Sequence, residues 1–72
     1  MMNYHQLAAI RQSRKLSQTQ VAEALGIKQQ QYSRYETGEQ IMSIEKYIKL
    51  AEYYNLSIDY LVGIISLPKP LH

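Results

Sequence analysis

The stretch Leu25-Gly26-Ile27-Lys28-Gln29-Gln30-Gln31-Tyr32-Ser33-Arg34-Tyr35-Glu36 decides how this chain folds, because a glycine turn leads straight into a short segment with two contrasting faces. Tyr32 and Tyr35 are three residues apart and share one side of a helix, whereas Gln29, Gln30, Ser33 and Arg34 project toward the other side and the helix start. The tyrosine side is suited to burial. The other side carries amides and a guanidinium, which match the edges of bases: Gln can bond adenine bidentately, and Arg guanine. Taken alone, the glutamine run also fits an ordinary solvated helix face, since Gln is a good helix former.

Upstream of this segment, Asn3 with Gln6 forms a capping-box pattern for a first helix, with Leu7 and Ile10 on its apolar side and an end near Arg14-Lys15. Ser17 with Gln20 opens a second helix, whose Val21, Ala22 and Leu25 form a buried stripe before Gly26 stops it. The third helix then runs from Gln29 to about Glu36 and ends at Thr37-Gly38. Two short helices joined by a tight glycine turn make a helix-turn-helix.

Downstream, Ser43 caps a fourth helix in which Ile44, Tyr47, Ile48, Ala51 and Tyr54 repeat at 3.6-residue spacing, with Leu50 widening the stripe. Asn55-Leu56 closes it, and Ser57 caps a fifth helix with Ile58, Leu61 and Val62 on its apolar side before Gly63. The remainder, Ile64 to His72, holds two prolines and reads as an extended arm whose isoleucines need cover. Tyr60, Leu61, Ile64, Ile65 and Leu67 are the candidates for a dimer contact. Of the seven tyrosines, Tyr32, Tyr35, Tyr47 and Tyr54 lie on apolar stripes and are expected in the core, with their hydroxyls reaching the surface.

At 72 residues the chain has the size of one small domain, close to the lower limit for a self-sufficient core. It has no cysteine, so its stability is expected from packing or from assembly into a homodimer. Neither a membrane-spanning run nor a signal-peptide pattern is visible in the sequence, and the cytoplasm is the expected location. Net charge is only +2, but it is unevenly spread. Residues 1–35 hold five basic side chains against one acid, and residues 36–72 three against five. That asymmetry fits one half facing a polyanion and the other facing a partner. His5 and His72 stand far apart, and no nucleophile, base or phosphate loop can be assembled, so neither an enzyme nor a metal or cofactor site is expected. Ser17, Ser43 and Ser57 each precede a helix and read as caps.

In this order and spacing, the chain resembles the lambda-repressor and Cro-like helix-turn-helix family, also called the XRE family, from about Leu7 to Val62. The resemblance rests on Ile10-Arg11, Leu16-Ser17-Gln18, Val21-Ala22, Leu25-Gly26-Ile27, the segment Tyr32 to Glu36, Gly38, and the late run Leu50-Ala51 to Leu56-Ser57-Ile58-Asp59-Tyr60-Leu61. It implies an all-α, five-helix lambda-repressor-like DNA-binding domain at residues 1–63 and a short extended tail at 64–72 that is a candidate dimer contact. The expected function is transcriptional regulation by a dimeric repressor that reads a palindromic operator in double-stranded DNA, with the Gln29 helix in the major groove. Gln29, Gln30 and Arg34 become base readers, with Ser33 on the same edge. Gln18, Lys28, Gln31, Arg14 and Lys15 become backbone contacts, Gln18 also buttressing Gln29. Arg11 and Glu36 correspond to a structural ion pair.

Two departures from the family pattern have physical consequences. Lys15 stands where glycine is common, and a left-handed lysine costs about 1 kcal/mol. The loop after Gly38 reads Glu39-Gln40 where basic residues are frequent, and it lacks a usual proline near Met42, so weaker nonspecific attraction and a looser loop are expected. An alternative use of the same fold is as a protein-interaction module, for instance an antitoxin holding a toxin, which Glu39 and the modest charge favour.

Overall fold

Ser17 and Gln20 fix where the second helix begins: Ser17 Oγ accepts from the Gln20 N–H at 3.1 Å, and Gln20 Oε1 accepts from the Ser17 N–H at 2.8 Å. This reciprocal box satisfies two donors that a helix start leaves without partners. The fold is described from a computed structural model, which covers residues 5–63 and 68–72. Among the described residues there are five helices and no strand: α1 His5–Ser13, α2 Gln18–Leu25, α3 Gln29–Thr37, α4 Ile44–Tyr54 and α5 Ile58–Leu61. The Asn3 cap falls outside the described residues.

Each boundary has a local cause. Lys15 adopts φ 57° between α1 and α2, the left-handed conformation in which a side chain is strained. Gly26 ends α2 at φ 73°, and its N–H bonds back to Ala22 and Glu23. A side-chain carbon built on Gly26 would meet nothing within 4 Å, so the backbone conformation alone selects glycine there. Ser43 and Ser57 accept from the N–H groups of Lys46 and Tyr60, and Asn55 closes α4 in the left-handed region at φ 54°.

α2 packs on α3 and α4, α1 on α3 and α5, and α4 on α5. The core joins Leu7 and Ile10 of α1, Val21, Ala22 and Leu25 of α2, Tyr32 and Tyr35 of α3, and Tyr47, Leu50, Ala51 and Tyr54 of α4. Leu56, Leu61 and Val62 complete it. The α4 stripe is rotated from the expected one: Leu50 is fully buried, while Ile44 and Ile48 are 60% and 43% exposed. Burial on α4 follows 47, 50, 51 and 54, which leaves Ile44 and Ile48 on the outer edge of the same side.

Leu61 is also corrected, from interface candidate to core: it is fully buried beneath α1 and α4, and no partner could reach it without unpacking the domain. Tyr60 is half-buried against that core, and its carbonyl accepts from Gln6 Nε2 at 3.5 Å. The candidates Ile64, Ile65 and Leu67 lie outside the described residues.

The end of the chain folds back on its own domain. The Ser57 N–H donates to the Lys69 carbonyl at 2.7 Å, the Leu71 N–H donates to the Asn55 carbonyl at 3.3 Å, and Leu71 packs against the core. The loop between α3 and α4 is tied down rather than loose. Met42 is buried in the core, and the Gln40 N–H donates to the Arg34 carbonyl at 3.1 Å.

Candidate nucleic-acid interface

Tyr32 and Tyr35 anchor α3 by its inner face, both essentially inaccessible to solvent. With that face buried, Gln29, Gln30 and Arg34 are exposed and Ser33 is half-buried on the opposite edge. These four, with Thr37 and Glu39, line a shallow recess of about 320 Å³. The expected base readers therefore share one surface.

A chain of polar contacts links this surface to the interior. Gln29 Nε2 donates to Gln18 Oε1 at 2.6 Å, and Gln18 Nε2 donates to Glu36 Oε1 at 3.0 Å. Glu36 in turn receives both Nε of Arg11, at 2.7 Å, and Nη2, at 3.1 Å, in a bidentate pair. Arg11 Nη1 also donates to the Leu16 carbonyl at 2.9 Å, which joins α1 to the turn before α2. The Arg11 and Glu36 side chains are 13% and 6% exposed, so little water competes for them.

Electrostatics follow from this packing. Burial raises the Glu36 carboxyl, but Arg11 first, then Tyr32 and Gln18, outweigh it and hold the group below its ordinary range. The Arg11 guanidinium is raised by its hydrogen bond to Glu36. Tyr32 is buried beside that carboxylate with its hydroxyl unpartnered in hydrogen-bond geometry, and burial first, then Glu36, raises it well above its ordinary value. Tyr54 is another buried, unpartnered hydroxyl, pushed up to about 12 chiefly by burial. For Tyr32 and Tyr54 the expectation that the hydroxyl reaches the surface is thus corrected, because the core closes over the whole ring.

The expected backbone contacts are more dispersed. Lys28 is exposed as the residue preceding α3, and Lys15 is exposed at the turn before α2. Gln31 is half-buried and donates to Tyr35 Oη at 2.8 Å, which turns its amide along the helix. Arg14 is drawn to the end of α4, where Nη2 donates to the Tyr54 carbonyl at 2.9 Å and the guanidinium lies 5.3 Å from the Tyr54 ring centre. The carbonyls at that helix end lack intrahelical partners and attract a cation. Glu39 also enters the recess, although the sequence did not place it among the base readers. The signal was its position just past Gly38, where a left-handed residue turns the chain back toward α3.

Among the described residues, no helix is long and apolar enough to cross a membrane. Residues 7–61 match the helix-turn-helix (HTH_3) family profile. Over 69 residues the chain is 33% identical to an uncharacterized HTH-type transcriptional regulator, YobD, of Bacillus subtilis, covering 96% of this chain and 62% of that protein. It is 37% identical over 57 residues to the cryptic phage CTXphi transcriptional repressor RstR of Vibrio cholerae, covering 79% of this chain and 51% of that one. A crystal structure of a transcriptional regulator from Listeria innocua superposes with a TM-score of 0.84 at 35% identity, over 90% of this chain and 62% of that one. The chain thus spans between about half and two thirds of the length of these relatives.

Proposed function

Because the chain belongs to the helix-turn-helix (HTH_3) family, we propose that it is a sequence-specific DNA-binding transcriptional regulator that places α3 in the major groove. The observation that carries this reading is the exposed edge of Gln29, Gln30, Ser33 and Arg34 on a helix whose other face is locked into the core. At nine residues α3 is about 13 Å long, which matches a groove about 12 Å wide. Gln29 and Gln30 offer donor and acceptor pairs for adenine, and Arg34 offers parallel donors for guanine. Lys28 and Lys15 supply phosphate contacts that are blind to sequence, while Gln18 orients Gln29. The mechanism is occupancy of an operator, and it needs no chemistry.

Repression is the favoured outcome, since the phage relative is a repressor. The active species is a homodimer with two-fold symmetry, which sets two copies of α3 about 34 Å apart over half-sites about 10 base pairs from centre to centre. A gel-shift titration across salt concentrations tests the proposal. Binding should weaken steeply as salt rises and remain tighter for a selected duplex than for a random one.

A second reading rests on the row Ile41, Ile44 and Ile48, exposed at 76%, 60% and 43%. An apolar row of this kind suits a protein partner. A chain that used it alone would show little DNA affinity even at low salt.

A further inference from the structure

Arg34 and Glu39 meet across the end of α3, with Arg34 Nε 3.3 Å from Glu39 Oε2. Their side chains are 57% and 70% exposed, and a pair so open to water adds almost nothing to stability. Its consequence is orientation. Gly38 turns the chain back at φ 81°, and the Gln40 N–H then donates to the carbonyl of Arg34 itself at 3.1 Å. Thr37 Oγ1 donates to that same carbonyl at 3.2 Å and accepts from the Glu39 N–H at 3.4 Å. The backbone on both sides of Glu39 is thus fastened to the residue whose guanidinium the carboxylate meets.

The contact is one of charge, without the alignment of a hydrogen bond, and a carboxylate that draws the planar guanidinium to its Nε side biases the direction of the remaining edge. With Glu39 at Nε, the two terminal nitrogens of Arg34 are left for the paired acceptors O6 and N7 of guanine. Glu39 and Arg34 line the same recess as Gln29 and Gln30, so the oriented edge belongs to the reading surface. In a groove from which water is displaced, the same pair is screened less than in free solution.

We propose that Glu39 is a positioning residue for base reading: its charge draws the Arg34 guanidinium to one side so that guanine is preferred at one position, and the same charge lowers affinity for every duplex. The inference rests on the DNA-reading role of α3 and adds a trade of affinity for specificity to it.

The test uses the full chain with Glu39→Gln, Arg34→Ala and the double substitution. Each is titrated by fluorescence anisotropy against three duplexes: the one selected by the unsubstituted chain, that duplex with the Arg34-dependent guanine replaced, and a random sequence. Glu39→Gln should tighten binding to the random duplex and reduce the guanine preference by about fivefold or more, a fraction of what a bidentate base contact can supply. In the Arg34→Ala background the same change should leave the preference unaltered, because no guanidinium remains to be held. Thermal unfolding should shift by no more than about 2 °C in Glu39→Gln, as befits an exposed pair. If Glu39→Gln shifts all three duplexes equally, or alters the preference without Arg34, the positioning role is overturned while DNA reading stands. If the unsubstituted chain binds the three duplexes alike, DNA reading itself is overturned, and this inference with it.

Discussion

Gln29 Nε2 donates to Gln18 Oε1 at 2.6 Å, so the first side chain of α3 is held by the first residue of α2. The contact uses one amide hydrogen and leaves the Gln29 carbonyl oxygen and a second hydrogen free. Those are the acceptor and donor that adenine requires. Gln18 is itself fixed by Glu36, so the exposed edge of α3 is continuous with the ion pair beneath it.

Gln18→Ala should therefore separate recognition from folding. Loss of two side-chain hydrogen bonds, one of them exposed, should cost about 1 kcal/mol of stability. Affinity for the selected duplex should fall about tenfold, because Gln29 loses its orientation. Urea unfolding and anisotropy on the same preparation check the two effects. Equal retention of affinity would remove Gln18 from the recognition surface.

Glu36→Gln should cost about 3 kcal/mol at neutral pH, since the buried Arg11 charge loses its partner. The folded carboxyl titrates below its ordinary value of 4.5. Its contribution is therefore fully present above about pH 4.5 and is lost as pH falls through the folded value. Urea unfolding at pH 7 and pH 3 should show a larger fall for the unsubstituted chain than for Glu36→Gln. Identical pH dependence in the two chains would contradict the pairing.

Lys15→Gly relieves the positive φ at the turn before α2, and it should raise stability by about 1 kcal/mol, or roughly 4–8 °C in Tm. Circular dichroism melting measures it. A drop in Tm would mean that the lysine head contributes more than the backbone strain costs.

The inner side of α4 can be checked by contrast. Leu50→Ala should cost about 2–5 kcal/mol, because its side chain is wholly enclosed. Ile48→Gln, at a position 43% exposed, should change monomer stability by no more than about 0.5 kcal/mol. Similar losses from both would restore the stripe expected from spacing alone.

That contrast marks where the sequence stops being informative. Ser17, Gly26, Ser43 and Ser57 were legible because a cap is decided by a few neighbouring residues, and their side-chain or backbone bonds are local. The buried face of α4 was not, because 3.6-residue spacing defines a broad stripe whose edge is chosen by the helices packed against it. Leu61 had the same ambiguity, being apolar on a short helix that could face inward or outward. The two faces of α3 were readable from Tyr32, Tyr35 and the glutamines. The Arg34–Glu39 pair was not, since it depends on how Gly38 redirects the chain. The return of Leu71 to Asn55 has no sequence pattern, as backbone groups make the bond.

Selection of bound sequences from a pool of random duplex DNA tests the central claim most directly. The account predicts a palindrome with half-site centres about 10 base pairs apart, and with Gln30→Ala it predicts relaxed preference at one base pair in each half-site. Recovery of no enriched sequence, or of an unchanged sequence with Gln30→Ala, would contradict the assignment of the exposed edge of α3 to base reading.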